Sequence, residues 1–91
     1  MYIFFVCIST QQEAFGSVYC LTPDLKLIKV DSGYLFSNGI AVQHNEEDGR
    51  PCLLIVAETG TKTLHAYDIT GLGQVSNKRA WAKLPGWLLY K

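Results

Sequence analysis

Apolar and polar positions along this chain fall into short runs separated by turn residues, and no run keeps the 3.6-residue apolar period of a helix. Ser17-Val18-Tyr19-Cys20-Leu21 reads as a strand and is followed by Thr22-Pro23-Asp24, where proline presets a turn. Lys26-Leu27-Ile28-Lys29-Val30 alternates polar and apolar, the period of a half-buried strand, and Asp31-Ser32-Gly33 is expected to break it. Phe36 to Val42 is apolar again around Asn38-Gly39, and a polar loop occupies His44 to Pro51. Cys52 to Ala57 is almost wholly apolar, as a strand buried on both faces would be. Thr63 to Ile69, a Gly71-Leu72-Gly73 turn and Lys78 to Leu84 complete the series. The expected class is all-β, with few helices.

The order of these strands repeats. Tyr19-Cys20-Leu21-Thr22 and Tyr67-Asp68-Ile69-Thr70 share one pattern 48 positions apart, and Leu27 and Val75 keep that offset. A period of ~40–50 residues with four short strands describes a β-propeller blade, although a generic β-meander gives the same pattern. On the propeller reading, Ser17 and Lys26 open the two outer strands of one blade. Phe36, Cys52, Thr63 and Lys78 then open the four strands of a complete antiparallel blade. Stacked repeats need about three units for stability, and about one and a half are legible here.

Composition narrows the partners. Eight Lys plus Arg balance eight Asp plus Glu, which gives no basic excess for a nucleic-acid backbone. Cys7, Cys20 and Cys52 form no CxxC pair, so a disulfide scaffold or zinc site is not expected, and a reducing, cytoplasmic setting is. The apolar run at Met1–Ile8 is far short of the ~20 residues that span a bilayer, so no membrane span is expected. It lacks the basic start and small-residue cleavage site of a secretory signal. Residues 1-11 are therefore either a buried strand or a segment foreign to the fold.

Three strings carry more than a pattern: Phe36-Ser37-Asn38-Gly39-Ile40-Ala41-Val42, the Asp48-Gly49-Arg50-Pro51 loop and Leu54-Ile55-Val56-Ala57-Glu58-Thr59. With Phe15 to Cys20 before them and Asn77 to Trp81 after, they resemble the SMP-30/gluconolactonase/luciferin-regenerating enzyme family. The resemblance covers residues 12-86 and leaves 87-91 as a tail. It implies a partial six-bladed β-propeller whose whole-length members hold a catalytic calcium in a central tunnel. Those members hydrolyse small-molecule phosphotriesters or lactones, with the loop and the Ala-Glu-Thr strand favouring the phosphotriester type.

Carried over position by position, the resemblance makes Asn38 a calcium ligand, Phe36 an aromatic of the substrate pocket and Thr59 a pocket-wall threonine. An amide oxygen suits a hard cation. Without the family, Asn-Gly reads as a tight turn, Phe36 as a core aromatic and Thr59 as a turn residue. Glu58 resembles a catalytic acid, but the pleat points it away from Thr59. His65 is expected to be a satisfied, half-buried histidine, and Glu46-Glu47-Asp48 a solvated loop. The family's calcium takes a glutamate, two asparagines and an aspartate, of which Asn38 alone has a place here. Calcium takes ~6–8 oxygens, so one ligand cannot hold it against water. The chain is thus expected to be a hydrolase fragment, inactive alone. The alternative is a non-catalytic, propeller-derived interaction module whose exposed strand edges pair with another chain.

Overall fold

A computed structural model describes residues 3–7 and 15–85. The boundary at residue 12 and the tail 87–91 lie outside the described residues. Every element is a strand: β1 (Ile3–Cys7), β2 (Gly16–Leu21), β3 (Leu27–Tyr34), β4 (Ser37–His44), β5 (Pro51–Glu58), β6 (Thr63–Gly71) and β7 (Gln74–Lys83). They form two antiparallel sheets, β1-β2-β3 and β4-β5-β6-β7. No helix long and apolar enough to cross a membrane occurs among the described residues.

The second sheet is the four-stranded meander that the sequence predicts, with β4 at its edge. The first holds three strands where two are expected, because Ile3–Cys7 pairs with β2 from Ile3 opposite Leu21 to Cys7 opposite Ser17. The sequence offset is also an offset in pairing. Gly16 faces Tyr34, Ser17 faces Ser32, Val18 faces Asp31 and Leu21 faces Leu27. Shifted by 48, the same partners recur as Leu64 with Ala82, His65 with Ala80, Ala66 with Arg79 and Ile69 with Val75. Both hairpins slip register at the same two points, after Gly16 and Val18 in one and after Leu64 and Ala66 in the other, and the second slips once more after Ile69. A generic meander has no reason to reproduce two bulges at one spacing; a repeated blade hairpin does.

Two strand readings change. The Asp31-Ser32-Gly33 triplet does not end its strand, and β3 continues to Tyr34. The bulges take up the irregularity, with Gly33 at φ 83°, a value glycine adopts without a Cβ clash. Nor is β5 buried on both faces. Leu54, Val56 and Glu58 are buried, whereas Leu53, Ile55 and Ala57 between them are only half-buried. One face of the second sheet packs on the first sheet, and the other is only partly covered.

The core lies between the sheets. Phe4, Val18 and Cys20 from the first meet Leu54, Val56 and Tyr67 from the second, with Tyr34 closing one end. Between β3 and β4, Leu35 and Phe36 carry the chain from one sheet to the other. Gly60 packs against this crossover so closely that a Cβ there would stand 2.5 Å from the Leu35 Cβ and 2.6 Å from its carbonyl oxygen. Backbone blocks one side of that space and cannot rotate away. Gly60→Ala is therefore expected to destabilise the chain by about 1–3 kcal/mol in urea unfolding. A midpoint unchanged from the parent would show that the crossover yields.

Candidate functional site

The end of the second sheet where β4 begins and β5 finishes gathers all three residues that the family resemblance singles out. Ser37 pairs with Glu58 and Gly39 with Ala57, and the register slips between them. Asn38 is the extra residue of this bulge on the edge strand, and it is exposed. Bulges re-aim a side chain out of the ladder, and here that side chain is an amide. Phe36 sits just before it at φ 60°, in the left-handed region that is strained for a side chain of this size. The residue is 46% exposed rather than part of the core.

Thr59 follows the last residue of β5. Its N–H donates to the Phe36 carbonyl at 2.9 Å, which joins the two positions directly. Its side chain is buried at 2% exposure, and among the described residues Oγ1 has no hydrogen-bond partner. A buried hydroxyl without a partner costs free energy. The structure thus brings Phe36, Asn38 and Thr59 to one end of one sheet, with Asn38 and Phe36 outward and Thr59 inward.

Glu58 and His65 are not solvated. The Glu58 carboxylate is 8% exposed and accepts from the Leu35 N–H at 2.6 Å, the Thr61 hydroxyl at 2.6 Å and His65 Nε2 at 2.8 Å. The expectation of a half-buried, satisfied histidine is met by this contact. The acidic run Glu46-Glu47-Asp48 is exposed in a turn that the Asn45 side chain caps at the Glu47 N–H, 2.8 Å away.

A second polar group, absent from the sequence reading, bridges the sheets. The Tyr34 hydroxyl bonds to that of Tyr67, which donates to Asp31 Oδ2 at 2.6 Å. Lys78 Nζ reaches the same Asp31 oxygen at 2.9 Å and lies over the Tyr34 ring, 4.7 Å from its centroid. Asp31 and Tyr34 come from β3, Tyr67 from β6 and Lys78 from β7. These residues stand 33 or more positions apart across the sheets, and no local spacing links Tyr34 to Tyr67.

Both groups make stability depend on pH, with a definite sign. Burial acts to raise the Glu58 and Asp31 carboxyls, but the hydrogen bonds they accept outweigh it and hold both below the ordinary carboxylate range. Their contribution is complete above the unfolded values, near pH 4, and is lost as pH falls through the lower folded values. Burial pushes the Tyr34 phenol up to about 12 and raises Tyr67 as well. That contribution is complete below about pH 10 and is lost as pH rises through the folded values. Urea midpoints should be flat between about pH 5 and 9 and fall on both sides. A midpoint that rises on acidification below pH 4 would contradict these assignments.

Among the described residues, no group of three or more His, Cys, Asp or Glu side chains could hold a metal ion. A single outward amide at Asn38 is not a calcium site, so the residues present do not fit the ion by themselves. A shallow cleft of about 300 Å³ opens at the other end of β5 and β6, lined by Arg50, Pro51, Ile69, Thr70, Gly71 and Leu72. It contains none of Phe36, Asn38 and Thr59.

No protein-family model matches the chain. Over 77 residues, 85% of its length, the chain is 53% identical to the diisopropyl-fluorophosphatase of Loligo vulgaris, and that stretch is 24% of the Loligo protein. The chain therefore spans about a quarter of the relative that it matches.

Proposed function

We propose, for a chain that is a segment of the diisopropyl-fluorophosphatase family, that it supplies one wall of a calcium-dependent hydrolase acting on phosphotriester or lactone substrates. Asn38 contributes one oxygen to the calcium, and Phe36 and Thr59 line the substrate pocket. The remaining calcium oxygens come from outside this chain, which alone is inactive. The observation that carries this reading is the 53% identity over 77 residues, within which Asn38 occupies a bulge on an edge strand. The half-buried Leu53, Ile55 and Ala57 face of β5 supports it too, since a propeller blade offers that face to a neighbour.

A chimera tests the proposal. The matched 77 residues replace their counterpart in the Loligo protein, and fluoride release from diisopropyl fluorophosphate is followed with and without a calcium chelator. The chimera is expected to release fluoride only with calcium present. A folded, calcium-loaded chimera without activity would overturn the assignment.

A further inference from the structure

Among the described residues, three hydrogen bonds join the crossover that presents Phe36 and Asn38 to the end of β5. The Leu35 N–H donates to Glu58 Oε2 at 2.6 Å, the Thr59 N–H to the Phe36 carbonyl at 2.9 Å and the Gly60 N–H to the Leu35 carbonyl at 2.8 Å. Two of these bonds join backbone to backbone and would form with many sequences. The third comes from a side chain, is charge-assisted and is the shortest of the three. A left-handed phenylalanine such as Phe36 persists only where its surroundings over-determine the backbone, and the Glu58 bond acts one residue before it.

Glu58 is itself gripped. While Oε2 holds Leu35, Oε1 accepts from the Thr61 hydroxyl at 2.6 Å and from His65 Nε2 at 2.8 Å. The His65 ring in turn meets the Tyr34 ring edge-on, 5.4 Å between centroids at 83°. The carboxylate is thus fixed from β6 and from the turn after β5, and it passes that constraint to the crossover. We infer that Glu58, oriented by His65, is a positioning residue for the Phe36–Asn38 segment. It fixes where the Phe36 ring and the bulged Asn38 amide stand, and it touches neither metal nor substrate. The inference rests on the proposed function only in treating that segment as part of a site.

Amide NMR of the full 91-residue chain tests it without calcium or substrate. Glu58→Leu removes the acceptor at similar size, whereas Glu58→Gln keeps an oxygen for the Leu35 N–H. In the leucine variant, Leu35 amide exchange should quicken roughly 10- to 100-fold, as loss of a charge-assisted bond implies. The Phe36 backbone and Asn38 side-chain amide resonances should move, while those of Ser76 and Asn77 near the start of β7 stay in place. Glu58→Gln should return Phe36 and Asn38 close to their original positions, which a merely volume-filling role would not require. A folded leucine variant with Phe36 and Asn38 unmoved would overturn the inference. If that variant does not fold, the unmodified chain decides. A scalar coupling between the Leu35 amide nitrogen and the Glu58 side-chain carboxyl carbon is expected, and its absence is fatal to the tether. An inactive chimera would remove the hydrolase reading and leave the tether, whereas unmoved resonances would do the reverse.

Discussion

Asn38→Ala in the Loligo chimera is expected to lower fluoride release by roughly 100-fold or more while leaving the chimera folded. Calcium is held by ~6–8 converging oxygens, and each one removed weakens the site. Loss of a group that merely orients a metal ligand already costs roughly 10–100-fold in affinity or activity, so loss of the ligand should cost at least as much. The fold should tolerate the change, because Asn38 is an exposed bulge residue on an edge strand. Surface substitutions of this kind usually stay within about 0.5 kcal/mol. The paired outcome is what discriminates, with activity lost and melting temperature kept. Retained activity would mean that the amide faces solvent in the whole propeller as well. Activity and stability lost together would mean that Asn38 is structural.

Tyr67→Phe is expected to be the most damaging single-atom change in the chain itself, destabilising it by about 2–4 kcal/mol. The Tyr67 hydroxyl accepts from Tyr34 and donates to Asp31, so its removal leaves a buried phenol and a half-buried carboxylate each short of a partner. The ring remains and no large cavity opens, so the loss reports the hydrogen bonds rather than packing. Their effects will not add simply, since the three groups act as one network with Lys78. Asp68→Asn is the matched control. It removes an ion pair with Arg79, 3.1 Å long and exposed, and should change stability by less than about 1 kcal/mol. Equal urea midpoints for the two variants would show that the inter-sheet network contributes no more than a surface pair.

The strand pattern was legible because turn chemistry punctuates it. Thr22-Pro23-Asp24 and Gly71-Leu72-Gly73 lie where the chain reverses, and the 48-residue offset of the repeat recurs in the pairing of two hairpins. The misreadings have physical causes. Gly33 resembles a strand breaker but is absorbed by a bulged strand, which alternation cannot distinguish from a turn. The apolar run at Cys52 to Ala57 reflects a second face that the described residues only partly cover. At the candidate site, family likeness pointed to Phe36, Asn38 and Thr59, whose gathering depends on the Thr59-to-Phe36 backbone bond. Glu58 stands in the string like a catalytic acid. Its carboxylate is instead buried and accepts from Leu35, Thr61 and His65. The Tyr34–Tyr67–Asp31 chain had no sequence signal, because it joins residues of different sheets through side chains alone.

Isothermal titration of the isolated chain with calcium tests most directly the claim that this segment supplies part of a site and not a whole one. One outward amide, with no group of three acidic, histidine or cysteine side chains placed to hold a metal ion among the described residues, should give no binding tighter than about millimolar. Saturable, stoichiometric binding in the micromolar range would contradict the account, because the chain would then hold a complete calcium site of its own.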